Sequence, residues 1–170
     1  MDLEPRLGDI IMVQIPGKVG VAIDLMETIA LRRKAKWSHC AIYIGDNKVI
    51  EAETGGAREA DLSEYANTRT AWSTAWGIQL GITDEQRQLI VQAAIGFKGT
   101  PYSFLDYAAV GLHEYHIPAP GLEEYIKSTK HMICSQLVDA CYKAGQVKLF
   151  DDGRWEGFVP PQDIAYVIGV

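Results

Sequence analysis

The residues of this sequence that could carry chemistry are a histidine, two glutamates and a cysteine in two separate segments. The first segment, "WSHCAIYIGDNKVIEAE" (37–53), contains His39, Glu51 and Glu53, and the second, "ICSQLV", contains Cys134. A thiol next to an imidazole that a carboxylate orients is the arrangement used for nucleophilic attack on a carbonyl carbon. The first segment has the alternating pattern of a β-hairpin, so its register decides which of its residues lie together.

Cys40 follows His39 directly in the sequence, but the two are poorly placed to act as a pair. Side chains alternate between the two faces of a strand, so Cys40 points away from His39 and shares its face with Ile42 and Ile44. A small thiol on an apolar face is typical of a buried core cysteine. The nucleophile is therefore expected elsewhere in the chain.

The loop of the hairpin determines whether Glu51 can reach His39. A three-residue loop at 45–47, or a bulge with the same effect, places Ala41 opposite Glu51 and makes Glu51 a diagonal neighbour of His39, ~7 Å away on one face. A plain two-residue loop sends Glu51 to the other face. Glu53 would lie opposite His39 and competes for the same contact, so hairpin geometry alone does not choose between the two glutamates.

Cys134 is predicted to lie in the first turn of a helix over 133–145, which Gly145 ends. Backbone N–H groups in a first turn lack partners within the helix and the dipole is positive there, so both stabilise a thiolate and lower the thiol pKa. The same donors could hold the oxyanion of a tetrahedral intermediate. Considered by itself, however, a cysteine in such a helix is more often a buried structural residue than a nucleophile. Cys141, two turns later, is predicted to be such a core residue.

The elements expected to position these residues are strands in the first half of the chain and helices mainly in the second. They are a strand over 7–15, a helix over 19–34, a hairpin over 38–53, a polar loop with a helical turn over 55–68, a strand over 71–80, helices over 83–97, 102–112 and 133–145, and a proline-initiated turn or helix over 159–167. This order lacks regular βαβ alternation and predicts an α+β fold, with an antiparallel sheet packed against helices. A length of 170 residues without repeats or linkers predicts a single domain, 1–170.

The clearest helix signal is "TDEQ", a capping box in which Thr83 and Gln86 satisfy each other's exposed backbone donors. An apolar stripe follows at helical spacing and is expected to face the core. Its members are Leu89, Ile90, Ala93, Ala94 and Phe97.

Charge and hydropathy exclude several classes of protein. A net charge of −6 and a pI of about 5.2 argue against nucleic acid as the main partner, since phosphate binding needs a basic surface. The basic run Arg32–Lys36 is predicted to be a solvated helix end. The sequence shows neither an apolar run of the ~18 residues that span a bilayer nor a secretory signal, so a cytoplasmic protein is expected, one that would reach the outside only by a route such as lysis.

The cysteines and histidines do not predict a metal site. Cys40, Cys134 and Cys141 are an odd, sparse set without a CxxC pair, which favours reduced thiols over disulfides or structural zinc. His113 and His116 have a spacing that would suit a metal on a helix, but no third ligand is evident and Pro118 follows, so a plain loop is predicted.

Several short motifs together resemble one known family. "SHCAIYIGDNKVIEA" closely resembles the histidine hairpin of the NlpC-type papain-like cysteine peptidases, and "ICSQLV" resembles their nucleophile helix. The order, with histidine and glutamate before cysteine, is similar to the circularly permuted branch, which includes YiiX-like proteins and the lecithin retinol acyltransferase relatives. "GDII", "GTPY" and "PPQDIA" also resemble the YiiX-like group, whereas the "NCEHF" motif of the acyltransferase branch is absent.

The resemblance implies a permuted papain-like fold, with an antiparallel sheet or small barrel against helices, and a bacterial or phage protein. It implies that Cys134 is the nucleophile, His39 the general base and Glu51, in preference to Glu53, the residue that orients the imidazole. Tyr102 and Ser135 are assigned to substrate or oxyanion contact. Neither a metal nor an organic cofactor is implied.

The implied chemistry is acyl transfer through a thioester followed by hydrolysis. A cysteine peptidase or amidase acting on a small peptide-like amide, such as a peptidoglycan stem peptide, is the leading hypothesis. A thioesterase or acyltransferase acting on lipid or acyl substrates is the second. The third is an inactive papain-like domain that binds a partner.

Overall fold

The structure is a computed structural model, and its description covers residues 4–15, 36–73, 81–102, 132–154 and 159–170. These residues form five strands and three α-helices. The strands are β1 (Ile10–Gln14), β2 (His39–Gly45), β3 (Lys48–Glu53), β4 (Gly56–Asp61) and β5 (Arg69–Trp72), and the helices are α1 (Asp84–Gly96), α2 (Cys134–Ala144) and α3 (Pro161–Ile168). None of the helices described is both long and apolar enough to cross a membrane.

The strands form one antiparallel sheet in the order β4-β3-β2-β1-β5. The α+β prediction is therefore confirmed. Over the described residues the sheet is open, with β4 and β5 at its edges, rather than closed into the small barrel that was the other expectation.

Alternation of side chains along the strands gives the sheet two apolar faces. One face packs against the helices and contributes Cys40 and Ile42 to the larger core cluster, together with Cys134. The opposite face forms a smaller cluster that includes Ala41 and Tyr65. Cys40 therefore lies on the opposite face from Ala41 and is fully buried, as the hairpin pattern predicted.

The helices begin where their capping signals predict. The Thr83 side chain accepts from the Gln86 N–H and caps α1, and Pro161 occupies the first turn of α3. Leu89, however, is 40% exposed, so the stripe prediction was wrong at this position. Ile90 and Ala94 are the fully buried residues of α1, which packs mainly against α2, so the buried stripe is narrower than the one predicted.

The polar segment 55–68 was predicted to be a loop, and this prediction was wrong for its first half. Gly56–Asp61 forms β4, which pairs with β3, and only Leu62–Tyr65 forms the expected helical turn, a 3₁₀ helix. An edge strand has charged residues that face water, so its sequence does not show a clear alternation of apolar and polar residues. The strand predicted over 71–80 is described only to residue 73 and is β5, and the helices predicted over 19–34 and 102–112 lie almost wholly outside the described residues.

The segment before Tyr102 docks against the start of β4. The Ala57 N–H donates to the Thr100 carbonyl at 2.7 Å, and the Gly99 N–H donates to the Ala57 carbonyl at 2.8 Å. The two backbone segments approach so closely because Gly56 has no side chain. A Cβ at this position would lie 2.8 Å from the Thr100 carbonyl oxygen. This contact sets where Tyr102 leaves the sheet edge.

Gly56→Ala is expected to destabilise the protein by about 1–3 kcal/mol, because residue 56 has a φ of +108° and the new methyl group would meet a backbone oxygen. Urea denaturation would measure the change. Gly55→Ala is the matched control, since its Cβ would meet nothing within 4 Å, and it should change stability by less than about 0.5 kcal/mol. Equal effects of the two substitutions would contradict the close-approach explanation.

Candidate active site

The turn between β2 and β3 is tighter than the three-residue loop that was expected. Asp46 and Asn47 have φ values of 49° and 58°, the left-handed conformations of a two-residue hairpin turn. Asn and Asp tolerate this region better than other non-glycine residues. By itself such a turn would place Glu51 on the wrong face of the hairpin.

A β-bulge in β2 returns Glu51 to the face of the hairpin that carries His39. The pairing shifts between Tyr43 and Gly45, which puts one extra residue on β2, and Ala41 then pairs with Glu51. The expected pairing is therefore confirmed, through the bulge alternative rather than the longer loop. A bulge twists and bends a strand locally and so re-aims the side chains beyond it.

His39 and Glu51 are in direct contact. His39 Nε2 lies 2.7 Å from Glu51 Oε2, and the two residues are 3% and 0% exposed. Because an ionised carboxylate can only accept, Nε2 is the nitrogen that carries the proton in this pair. Nδ1 is then the ring nitrogen left free to face another group. Glu53, the competing candidate, is described in an ion pair with Arg58 instead.

Two further groups bind the Glu51 carboxylate. The Tyr65 hydroxyl donates to Oε2, the oxygen that His39 contacts, and Arg58 Nη2 lies 2.7 Å from Oε1. Burial by itself raises the pKa of Glu51, but the hydrogen bond and charge of His39, with the contributions of Tyr65 and Arg58, hold this pKa below its usual value. Glu51 is therefore an anion in the folded protein at neutral pH.

Cys134 is the first residue of α2 and is 3% exposed. The N-cap residue, Ile133, has no side-chain oxygen to accept from the first-turn N–H groups, and its own N–H donates to the Gln136 side chain at 2.9 Å. The expected position at a helix N-terminus is confirmed. The first-turn N–H groups, which have no acceptor within the helix, and the helix dipole favour negative charge at this thiol.

The fold brings Cys134 to the hairpin. Its thiol lies within hydrogen-bonding range of Cys40 and of His39, and these contacts hold the pKa of Cys134 well below its usual value despite burial, which raises it. Burial by itself lowers the pKa of His39, but Cys134 and Glu51 together raise this pKa above its usual value. The two pKa shifts therefore act in the same direction, toward a charged thiol and a charged imidazole.

Cys40 is a neighbour of Cys134 that the hairpin pattern did not identify. Face alternation correctly removed it as a partner for His39, but it contacts the other cysteine from the opposite side of the strand. Cys141, on the same helix as Cys134, is fully buried, and burial raises its pKa to about 12. The two helix cysteines thus lie in opposite electrostatic environments, which their sequence contexts did not separate.

Tyr102 lies close enough to Cys134 for the two to interact electrostatically, and it packs against the larger core cluster. Burial, followed by the charge on Cys134, raises the pKa of Tyr102, so its hydroxyl remains protonated and can donate. Ser135 is 0% exposed, and its Oγ has no hydrogen-bond partner among the described residues. A substrate contact from Ser135 would come more readily from its first-turn N–H than from this buried hydroxyl.

One histidine and two glutamates of the hairpin form a group of the kind that can bind a cation. Ligand atoms of His39, Glu51 and Glu53 lie within 4.8 Å of one another. Arg58 already pairs with both carboxylates, at 2.7 Å and 3.5 Å, and supplies the positive charge that a metal ion would bring. The arrangement therefore favours an orienting carboxylate over a metal ligand. His113, His116 and most of the basic run Arg32–Lys36 lie outside the described residues.

Arg58 and Tyr65 are site residues that sequence reasoning missed. Arg58 pairs directly with Glu51 in the β3–β4 register, and Tyr65 comes from the 3₁₀ helix that follows β4. Treating "GGAREAD" as a strand after a tight turn would have placed Arg58 opposite Glu51, where a cross-strand ion pair is expected.

An open antiparallel sheet with a cysteine at a helix N-terminus beside a buried histidine is the arrangement of an α+β protein of the papain-like class. Residues 4–109 match the family described as permuted papain-like amidase enzyme, YaeF/YiiX, C92 family, and the chain belongs to this family. The match includes His39 and Glu51 and ends before Cys134. No curated protein matches the sequence. Family membership supports a peptidase or amidase class, and with it a cysteine hydrolase.

Proposed function

We propose that the protein is a cysteine amidase or peptidase that cleaves a small peptide-like amide, such as a peptidoglycan stem peptide. Cys134 is the nucleophile, His39 the general base and acid, and Glu51 the residue that orients the imidazole. The observation that carries the proposal is the contact of Cys134 with an imidazole whose other side is held by a buried carboxylate. This matches the nucleophile, base and orienter that acyl transfer requires.

In the proposed first step, the Cys134 thiolate attacks the carbonyl carbon of the amide and a C–S bond forms. The oxyanion that develops is bound by first-turn N–H groups of α2, including that of Ser135, and by the Tyr102 hydroxyl. The His39 imidazolium then donates its proton to the leaving nitrogen as the C–N bond breaks. The products of this step are a free amine and a thioester on Cys134.

In the second step, neutral His39 removes a proton from a water molecule, which attacks the thioester carbonyl. The C–S bond breaks, the carboxylic acid product leaves, and the proton returns to the His39–Cys134 pair. Glu51 remains ionised throughout: it holds the ring in one tautomer and balances the imidazolium when that forms. Each step uses only protein groups and water.

Alkylation with iodoacetamide tests the thiolate on which this proposal depends. Between pH 8 and pH 5.5 an ordinary thiol, with a pKa of about 8.5, loses reactivity roughly 200-fold, because its thiolate fraction falls. Cys134 is expected to lose much less reactivity than this over the same range, because its pKa is depressed. Peptide mapping by mass spectrometry would follow each cysteine separately.

Cys141 is the internal control for this experiment, since burial raises its pKa and it should remain unmodified in the folded protein. A free cysteine peptide gives the reference profile. If Cys134 loses reactivity in parallel with that peptide, it is not an activated thiolate and the proposed mechanism is wrong.

A further inference from the structure

The Glu51 carboxylate is held by three other elements of the fold. β2 supplies His39, β4 supplies Arg58, and the 3₁₀ helix supplies Tyr65. Glu51 itself is 0% exposed. A buried carboxylate is costly unless charge and hydrogen bonds compensate it, so its partners control both its charge and its position.

Tyr65 contacts the oxygen that matters most for His39. Its hydroxyl donates to Glu51 Oε2, which His39 Nε2 also contacts, and the Tyr65 and His39 rings lie 6.2 Å apart between centroids. Burial, followed by Glu51, raises the pKa of Tyr65, so the hydroxyl stays protonated and acts as a donor. Two donors from different directions restrict the rotation of the carboxylate.

The short helix that carries Tyr65 is itself firmly placed. Asp61 caps it by accepting from the Ser63 N–H at 2.9 Å, and the Glu64 side chain accepts from the Asp61 N–H, which completes a capping box. Asp61 also accepts from the Asn47 side chain at the hairpin turn. The helix, the hairpin and the Glu51 contact therefore form one connected unit.

Arg58 holds the other Glu51 oxygen and is itself held in place. Its Nη2 lies 2.7 Å from Glu51 Oε1 and 2.9 Å from Glu64 Oε2, so one guanidinium bridges the buried and the exposed carboxylate. Its side chain is 41% exposed, which lets water reach the outer part of this pair. Arg58 thus adds its positive charge to the contributions of His39 and Tyr65 that keep Glu51 ionised.

We propose, on the basis of the function proposed above, that Tyr65 and Arg58 are positioning residues that hold Glu51 ionised and aim its Oε2 at His39. They act through Glu51 and do not touch the substrate. Without the Tyr65 hydroxyl the carboxylate would keep its place in the sheet but lose one of the two donors on Oε2. His39 would then be oriented less tightly toward Cys134.

The alternative is that Tyr65 only fills space in the smaller apolar cluster, of which it is a member. Its ring does fill that space, but the hydroxyl contact with Glu51 is separate from the packing. Tyr65→Phe keeps the ring and removes only the hydroxyl, so it separates the two roles. Tyr43→Phe is the matched control, because Tyr43 packs against the same cluster and its hydroxyl accepts from the Asn47 N–H instead.

The titration of Glu51 reports the positioning role directly. Among the described residues, the titratable and charged groups around it are His39 from β2, Arg58 from β4, Tyr65 and Glu64 from the 3₁₀ helix, and Glu53 from its own strand. A hydrogen bond to the charged form of a carboxylate lowers its pKa, so loss of the Tyr65 hydroxyl raises the pKa of Glu51. If Tyr65 only packs in the smaller apolar cluster, the pKa of Glu51 should not change.

Carbon-13 NMR of the glutamate carboxyl groups measures this titration, with the Glu51 signal assigned by its loss in Glu51→Gln. Tyr65→Phe is expected to raise the Glu51 titration midpoint by about one pH unit, and to lower kcat about 10-fold while KM changes little. Tyr43→Phe should match the wild type in both. If thermal melting shows that Tyr65→Phe does not fold, Arg58→Gln carries the same test and should shift the midpoint in the same direction.

The outcomes separate this proposal from the proposed function. Unchanged Glu51 titration and unchanged kcat in a folded Tyr65→Phe protein would overturn the positioning role alone. A second outcome is that the wild-type protein hydrolyses no amide while Tyr65→Phe still shifts the Glu51 titration. That result would overturn the proposed function but support the positioning of Glu51 by Tyr65. A shifted titration with a fall in kcat supports both.

Discussion

Cys134→Ala is expected to abolish the hydrolysis of peptide-like amides, with a rate at least about 10⁴-fold below that of the wild type. Without the thiol no covalent intermediate can form, and the remaining groups would only bind and polarise the amide. The substitution removes one sulfur atom at the start of α2, next to Cys40 and His39, so the fold should be retained. The measurement is the initial rate on a panel of chromogenic dipeptide amides.

Cys141→Ala is the matched control on the same helix. Cys141 is buried in the core two turns after Cys134 on α2, so the variant should hydrolyse the same amides at close to the wild-type rate. An acyl thioester included in the panel extends the test to acyl substrates. If the wild type cleaves thioesters but no amide, and Cys134→Ala removes that activity, the nucleophile is correct and the amide substrate is wrong.

Glu51→Gln is expected to lower kcat by roughly 10²–10⁴-fold, because an amide cannot balance the imidazolium and can present an N–H to His39 in place of an acceptor. The Tyr65 hydroxyl and Arg58 would also lose their anionic partner. Glu53→Gln is the matched control one pleat further along β3. Since Glu53 is partly exposed and its described ion pair is a 3.5 Å contact with Arg58, its substitution should leave kcat within about 3-fold of wild type.

The effect of Glu51→Gln on the free energy of unfolding is expected to depend on pH. The pKa of Glu51 in the folded protein is below its ordinary value of 4.5, so its ionised form contributes stability that is fully present above that pH and is lost as the pH falls. The stability difference between wild type and Glu51→Gln, about 1–3 kcal/mol near neutral pH, should therefore narrow in acid. Urea denaturation at several pH values would show this, and a difference that widens in acid would contradict an ionised Glu51.

The hairpin shows how far sequence reasoning could go. Alternation placed Cys40 in the core, and the requirement for an odd-length loop or a bulge identified the condition on which the Ala41–Glu51 pairing depends. The structure meets the condition with a bulge between Tyr43 and Gly45. Choosing a bulge over a longer loop depends on how β2 fits between β1 and β3, and that information is not local to the turn.

The sequence did not predict two of the residues that contact Glu51, and both failures have the same physical cause. Arg58 and Tyr65 lie in a segment whose polar residues suggested a loop, because an edge strand has too few buried positions to show a clear alternation. Their contacts with Glu51 arise only when β4 pairs with β3 and the 3₁₀ helix folds back over the sheet. Cys40 was correctly predicted to be buried, but its contact with Cys134 depends on helix packing across the core.

The sequence by itself determined the capped starts of α1 and α3 and the placement of Cys134 at the beginning of a helix, since these depend on local signals. It also determined which face of β2 carries Cys40, because alternation has a fixed period. Hairpin geometry left Glu51 and Glu53 open and the family resemblance favoured Glu51, but only the tertiary structure shows that Glu51 contacts His39 and that Cys134 lies beside them. Those contacts join residues far apart in the chain, and their distances are set by sheet register and helix packing, which no local pattern encodes.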